Sequence, residues 1–495
     1  MRKGLIASIS LMVGGVAVGC SGDDCSSNCV SPDGSADANA DVVVDAATES
    51  SLPPGCDLSA DIASSPACID DGIGVFVDAT NGNDTNAGTK ASPFKTIGHA
   101  IAAVGVKQRV YVCDGTYAED VSLTQTNAVE IFGGVQCGTW TYDGNQPTIG
   151  ASNLALHIDG VQKPLVVSDL TFQPTAGSNP GDSSIAAFVN ASIQVTLRRV
   201  RLLPAAGVDG KNGTTGSNWT AVAQSDASIA GKNASGTGGG ASHACTLCAN
   251  NVNSTGGAGG NGGLSSTGGS DGAPNLNGQS PADGKGGNAT CTSGDNGASA
   301  TAGPDAIGAT SIGKLSSTSW LPAAGEDGAS GGPGQGGGGG GGASSITSGG
   351  GAGGGCGGCG GAGGTGGGGG GASIGLASVS SSVALVSCNI ATQAGGKGGS
   401  GATGQDGQLG GYAGTLASPG CAGGVGGQGA KGSAGGGGAG GSSVGILYTG
   451  EQPNADTNTT ITVPSTAASK GTGGNPGLND GVAGACEVTL QATSS

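Results

Sequence analysis

Between residues 206 and 441 glycine supplies 81 of 236 residues, in runs as pure as Gly336–Gly342, with a β-patterned island set inside them. The island, "ASIGLASVSSSVALVSCNIATQ" from Ala372, alternates apolar and polar residues at the period of a strand. Glycine has no side chain to bury, and ordering it costs more backbone entropy than ordering any other residue. There are 111 glycines in 495 residues and only 3% aromatics. That is about three times the average glycine usage. A chain of this kind builds a thin, repetitive core or confines its core to part of its length.

The island has relatives within the chain. "SSIAAFVNASIQVTLRRVRLLPAAGVDGKNG", from Ser183, aligns Ile185 with Ile374. With one residue of slack it also aligns Leu197 with Leu385, Val200 with Cys388, Leu202 with Ile390 and Gly207 with Gly395. A weaker third copy starts "SSVGILYTG" at Ser442 and continues through "TTITVPSTAASKGTGG". Each copy reads strand, short turn, strand, glycine. Repeated units that cannot bury their apolar face alone stack on one another. The glycine segments are then excursions that leave one rung and return as the next. Short runs upstream, "VEIFGGV", "LALHID" and "LVVSDLTF", suit further rungs. They carry no two-residue hairpin signals of the Asn-Gly type. A β-sandwich is the alternative.

Segments such as "GGAGGNGG" and "GGKGGSGATGQDG" have a loose period of three. Polyproline-II-like helices of glycine would pack side by side at that period. Flexible loop is an equal reading. A collagen triple helix is not expected, since the period is broken and the whole chain holds only 19 prolines.

Upstream, "GVFVDATNGNDTNAGTKASPFKTIGHAIAAV" and "RVYVCDGTYAEDVSL" read as strand, polar loop, helix, strand, turn and strand. Ser92 is the expected N-cap with Pro93 at the first helical position. Phe94, Ile97, Ile101 and Val104 would share one helical face. Over roughly residues 73–135 this pattern resembles the entry module of bacterial right-handed parallel β-helix proteins of the pectate-lyase-like superfamily. The resemblance implies a helix that caps the open end of the β-helix and says little about activity. By composition, the glycine tracts resemble the glycine-rich (PGRS-like) repeats of mycobacterial and myxobacterial surface proteins. The expected fold is therefore all-β: a right-handed parallel β-helix with one N-terminal capping helix, interrupted by long Gly-rich loops or polyglycine-II-like segments.

The amino terminus reads as a targeting segment. Arg2 and Lys3 precede a short apolar stretch that ends "VAVGC". A small residue just before Cys20 resembles the lipobox of bacterial lipoproteins, which implies cleavage before Cys20 and its acylation. An ordinary secretory signal is the alternative. From Ser21 to Ser51 there are seven acids and no Lys or Arg, a composition that favours a disordered tether. The expected organisation is a signal peptide (1–19), an acidic tether (20–72), an N-terminal β-helix (73–205) and a Gly-rich excursion (206–372). A rung (373–394), a second excursion (395–441) and C-terminal rungs (442–495) follow.

Net charge is −17, from 34 acids and 17 bases. Nucleic acid is not an expected partner, because phosphate binding needs clustered Lys and Arg. The 15 cysteines are an odd number; lipid on Cys20 leaves fourteen, which can all pair. Cys56 with Cys68 and Cys113 with Cys137 are plausible local bridges. Cys245/Cys248 and Cys356/Cys359 are two CxxC pairs, and two such pairs can form a zinc site. The 107 residues between them far exceed the usual ribbon spacing of about 15–20. Disulfides are preferred, within the pairs or to Cys291, Cys388 and Cys421. No cofactor or metal is expected.

Catalysis on such a scaffold would need clustered carboxylates. The candidates are Asp159, Asp169 and Asp182 with Arg198, Arg199 and Arg201, the arginines reading mainly as a solvated stripe. Trp140, Trp219 and Trp320 read as packing or loop anchors rather than sugar platforms. His99, His157 and His243 show no metal spacing. The expected function is a membrane-anchored, surface-exposed structural or interaction lipoprotein without catalytic activity, its partners being the bilayer through acylated Cys20 and polysaccharide or matrix. A polysaccharide lyase or glycoside hydrolase is the alternative.

Overall fold

The computed structural model describes residues 52–276 and 283–493. The signal peptide, Cys20 and most of the acidic tether lie outside the described residues. Short strands form three parallel sheets of seven, six and six strands. Each coil contributes one strand to each sheet in turn, which defines a parallel β-helix. Gly74–Val77 opens the first sheet. The next coil runs Arg109–Cys113, Thr116–Tyr117 and Val121–Thr124. The third runs Glu130–Val135, Thr148–Ile149 and Leu154–Asp159. The fourth runs Leu165–Ser168, Thr171–Phe172 and Ser184–Asn190.

The expected repeats form the next three coils. The fifth is Val195–Arg198, Arg201–Leu202 and Ser373–Val379. The sixth is Val383–Val386, Asn389–Ala391 and Ser443–Thr449. The seventh is Asn454–Ala455, Thr460–Thr462 and Cys486–Gln491. Ile185 pairs with Ile374, and Ile374 with Val444. Leu197 pairs with Leu385 and Leu202 with Ile390. Inward aliphatic residues, among them Val167, Leu197, Leu385, Leu156 and Leu376, stack into one continuous core.

The helix is Ile97–Ala103, and Ile97, Ala100 and Ile101 close the amino-terminal end of that core. It starts later than the sequence suggests. Thr96 is the N-cap, its side chain accepting from the His99 N–H. Ser92 and Pro93 instead belong to a turn, and Phe94 bridges to Val77. The Glu119 carboxylate, from the next coil, accepts from the N–H groups of Ile97 and Gly98 at 2.8 Å each. It supplies acceptors to donors that a helix cannot satisfy internally.

All three long excursions leave from the same corner, between the second sheet and the third. They depart after Leu202, Ala391 and Thr462, and they return at Ser373, Ser443 and Cys486. Outgoing segments hydrogen-bond in parallel, Gly207, Gly210 and Gly213 donating to the carbonyls of Ala394, Lys397 and Ser400. Returning segments do the same, Gly358, Gly361 and Gly364 donating to Gly427, Ala430 and Ser433. Outgoing and returning segments are antiparallel, Gly396 and Gly399 donating to Gly371 and Gly368. Every third residue bonds to a given neighbour, which is the three-residue turn of polyglycine-II-like helices. The sequence leaves packed helices and flexible loops open, and the structure has packed helices.

Stacked coils are spaced at the interstrand distance of about 4.8 Å, and the excursions inherit that spacing. A Cβ on Gly358 would lie 1.8 Å from the Gln408 carbonyl oxygen, and one on Gly361 1.8 Å from that of Gln405. Side chains are admitted only at positions that face outward or toward a gap. There they act as substitute acceptors. Asp209, Asn212 and Asn233 accept from the N–H groups of Lys397, Ser400 and Thr415 at 2.6, 2.9 and 2.8 Å.

Five disulfides are present among the described residues. Cys56 joins Cys68, and Cys113 joins Cys137. Cys245 joins Cys356, Cys248 joins Cys359, and Cys291 joins Cys421. The CxxC pairs thus link to each other, residue by residue, and not internally. The two bonds join the same two segments, three residues apart on each. Cys388 and Cys486 are unpaired. Cys388 points into the core beside Leu197, with no partner sulfur among the described residues.

The segment from residue 52 is folded, which shortens the expected tether of residues 20–72. Ile62 and Ile69 pack with Phe76, Tyr111, Phe132 and Trp140 on the outer face of the first sheet. The glycine region also contributes an antiparallel hairpin, Gly313–Leu315 with Trp320–Pro322. Its Leu315 and Trp320 cover Phe188, Ala377 and Leu447 on the outer face of the third sheet.

Candidate functional site

Of the charged residues singled out in the sequence, the structure brings Asp169, Arg199 and Arg198 together and adds Asp61. Asp169 and Arg199 occupy the same corner, between the first and second sheets, in adjacent coils. Both take the left-handed conformation, at φ 60° and 48°, as does Ser387 at 55° one coil further on. This conformation is uncommon for residues with a side chain, and Asp is among those that adopt it most readily. It turns the chain sharply and projects the side chain across the coil stack.

Arg199 donates from Nε to Asp169 Oδ1 at 2.6 Å and from Nη2 to Asp169 Oδ2 at 2.7 Å. The Tyr142 hydroxyl donates to Oδ1 at 3.0 Å, and the Ser168 hydroxyl to Oδ2 at 2.7 Å. Asp169 is 1% exposed. The far side of the guanidinium reaches Asp61, with Nη2 2.8 Å from Oδ1. Arg198 lies 3.5 Å from Asp61. Two acids therefore share a bidentate arginine. Burial pushes the Asp61 carboxyl up, but the hydrogen bonds from Arg199 and the Ala63 N–H, with the charges of both arginines, hold it below its usual value. Burial, then the Asp169 charge, pushes the Tyr142 hydroxyl up to about 12, so it stays a donor.

This arrangement fastens the segment around Asp61 to the coil stack. Each oxygen of Asp169 already accepts two hydrogen bonds, which leaves it little capacity to abstract a proton or ligate a cation. Arg199 is not part of a solvated stripe; only Arg201 is exposed in the expected way. Asp159 and Asp182 lie elsewhere. Asp159 accepts from Asn190 Nδ2 at 2.7 Å, and Asp182 accepts from the N–H groups of Ser178 and Asn179 as a turn residue. Sequence reasoning missed Asp61. Its partner is 138 residues away, and it sits in an acid-rich stretch that reads as tether.

The tryptophans are anchors at two sites: Trp140 and Trp320 are buried. Trp219 is half-exposed and donates from Nε1 to the Asp406 carbonyl at 2.9 Å. His243 lies beside Cys245 and Cys356, with potential ligand atoms within 4.8 Å of one another. Those two sulfurs are bonded to each other, and His243 Nδ1 is 2.7 Å from the Ala230 carbonyl oxygen. The group is a disulfide beside an imidazole.

Residues 80–137 match the family described as "Protein of unknown function (DUF1565)", a family found in β-helix proteins. The match spans the polar loop, the capping helix and the first full coil. No curated protein and no solved structure matches the chain.

Proposed function

We propose that the protein is a surface-exposed lipoprotein, anchored through acylated Cys20, whose role is structural or adhesive and not catalytic. The observation that carries this reading is the glycine bundle. Three excursions from one corner lock into a hydrogen-bonded body, stapled by three disulfides across sequence separations of 111, 111 and 130 residues. Such cross-links suit an oxidising, extracytoplasmic setting. A large rigid surface with little apolar content suits contact with polysaccharide or matrix in a hydrated layer. Lyase or hydrolase chemistry gains no pair from its candidate acids, since Asp169 is committed to Arg199 while Asp159 and Asp182 lie elsewhere.

The test is metabolic palmitate labelling of wild-type and Cys20→Ser protein, with protease shaving of intact cells. Labelling lost in the variant, with shaving of the wild type, is expected. Label retained on Cys20→Ser would overturn the anchor. Unsaturated products or new reducing ends from any polysaccharide incubated with the protein would overturn the non-catalytic role.

A further inference from the structure

The far end of the glycine bundle, away from the coil stack, carries five turns, at residues 235–238, 263–267, 289–292, 344–348 and 416–420. They bond to one another. The N–H groups of Gly262 and Gly263 donate to the carbonyls of Thr237 and Ala343, and that of Gly342 to Thr267. The Ser266 hydroxyl donates to the Ala289 carbonyl at 2.8 Å, and the Ala417 N–H to that of Gly350. One covalent bond, Cys291–Cys421, joins the third of these turns to the end of the fifth.

That bond differs from the other four. Cys245, Cys248, Cys356 and Cys359 are at most 4% exposed, and Cys68 and Cys113 are enclosed. Cys291–Cys421 is the one disulfide of the described residues in which neither cysteine is buried. Cys291 also sits at φ 66°, a left-handed conformation disfavoured roughly tenfold for a residue with a side chain. Opening the bond lets that turn relax. Charge separates the sites as well. The two other sulfurs near the surface, of Cys56 and Cys137, have acids beside them. Asp57 follows Cys56, and Asp114 Oδ1 accepts from the Cys137 N–H at 3.1 Å. The Asp78 carboxylate lies within 4.8 Å of the Cys113 and Cys137 sulfurs. The turns at 289–292 and 416–420 hold no charged residue. A thiolate is an anion, so it is repelled at the first two bonds and not at the third.

We propose that Cys291–Cys421 is a thiol-exchange site, whose substrate is a small thiol and whose opening loosens the far end of the bundle. The thiolate attacks Cys291 Sγ, the sulfur carried by the left-handed turn. A new S–S bond forms there and the Cys291–Cys421 bond breaks. Its electron pair leaves on Cys421 Sγ, which takes a proton from water. A second thiolate attacking the mixed disulfide carries off the first as the thiol's own disulfide and leaves both cysteines reduced. The thiol is the only reductant consumed. Exposed or strained disulfides are in general the labile ones. Behind the bond two segments run side by side, Gly294, Gly297 and Ala300 donating to the carbonyls of Ala422, Val425 and Gln428. The disulfide closes the end of that pair. Cys245–Cys356 and Cys248–Cys359, being buried, keep the rest of the bundle stapled when it opens.

This inference goes beyond the structural role proposed above and does not depend on the anchor. Free thiols of the folded, full-length protein are blocked with N-ethylmaleimide, and reduced glutathione is then added. Products are trapped with iodoacetamide and mapped by mass spectrometry. Glutathione on Cys291 with carbamidomethyl on Cys421 is expected, about tenfold ahead of modification at any other disulfide. Amide exchange at Gly294 and Cys421 should then rise severalfold. Exchange at Ala306, which donates to Ala434 deeper in the same pair of segments, should not change. The double variant Cys291→Ser with Cys421→Ser should exchange, without thiol, as the opened wild type does. The adduct measurement needs no variant, so it stands even where that variant does not fold. Adduct forming first at Cys56–Cys68 or Cys113–Cys137, no adduct on the folded protein, or unchanged exchange after opening would each overturn the inference. Palmitate labelling reads none of these events, so any such result sinks the exchange site and spares the anchor.

Discussion

Arg199 and Asp169 sit one coil apart at the same corner, each in a left-handed conformation, joined by two hydrogen bonds at 2.6 and 2.7 Å. The same guanidinium holds Asp61, so one side chain closes the coil stack and straps the amino-terminal segment across it. The two contacts differ in burial, Asp169 being enclosed and Asp61 reaching solvent. Removing the arginine from a buried carboxylate leaves an uncompensated charge, at a cost of about 3–5 kcal/mol. A partly exposed ion pair contributes about 1 kcal/mol or less. Arg199→Ala should therefore lower the denaturant midpoint strongly. Asp61→Ala should lower it slightly but expose residues 52–72 to limited proteolysis. Equal midpoint losses in the two variants would show that burial does not separate the contacts.

Asp61 carries one share of the pH response. The Asp57, Asp84, Asp226, Asp305, Asp456 and Asp480 carboxyls are also held below their usual value, by hydrogen bonds from neighbouring hydroxyl, amide and backbone N–H groups. The folded pKa of Asp61 lies below its usual value, so it stabilises the fold above the unfolded value of about 3.9. That contribution is lost as pH falls through the folded pKa. Glu130 acts in the opposite sense. Burial raises its pKa against the pull of Arg109, so its contribution falls as pH rises through the folded value. Melting temperature should drop on acidification below about pH 4. Asp61→Asn should make that limb slightly shallower and leave the region near pH 7 little changed beyond the loss of its ion pairs to Arg198 and Arg199. An acid limb as steep in Asp61→Asn as in the wild type would place the sensitivity elsewhere.

Glycine is required in the bundle by distance. A Cβ at Gly358 would fall 1.8 Å from a carbonyl oxygen, and backbone must move to relieve it. Overpacking ordinarily costs about 1–3 kcal/mol, and a clash with the Gln408–Leu409 backbone lies at or above the upper end. Gly332 has nothing within 4 Å of its Cβ position. Gly358→Ala should speed amide exchange throughout the bundle, and Gly332→Ala should leave exchange unchanged or slower. Equal exchange in both would mean that the helices are not packed at this spacing.

The rung register was legible in the sequence because a buried aliphatic ladder repeats with the coil. Ile185, Ile374 and Val444 are separated by long excursions and still occupy one ladder. The period of three in the glycine tracts was also legible, but not whether the helices pack. That depends on where the excursions leave the coils, which no local pattern records. The cross-linking of the CxxC pairs was hidden for the same reason, since it requires residues 245–248 and 356–359 to lie on facing segments. Ser92 and Pro93 read as a helix start because they satisfy the local rule. The structure places the start at Thr96, where Glu119 from the next coil completes the cap.

The two linked CxxC pairs give a prediction about additivity. Cys245–Cys356 and Cys248–Cys359 each close a loop of 111 residues. In the chain-entropy account, a loop near 100 residues is worth about 4.7 kcal/mol. Once one bond is present, the second closes only the few residues between them, so it adds much less. Cys245→Ser with Cys356→Ser should cost little, because Cys248–Cys359 still holds the large loop. The reciprocal pair of substitutions should also cost little, and removing all four cysteines should cost far more than the sum. Thermal melts of the three variants, with exchange at bundle amides as a second readout, measure this directly. Additive losses would mean that the two bonds constrain separate parts of the unfolded chain. That outcome would contradict their placement three residues apart on the same pair of segments.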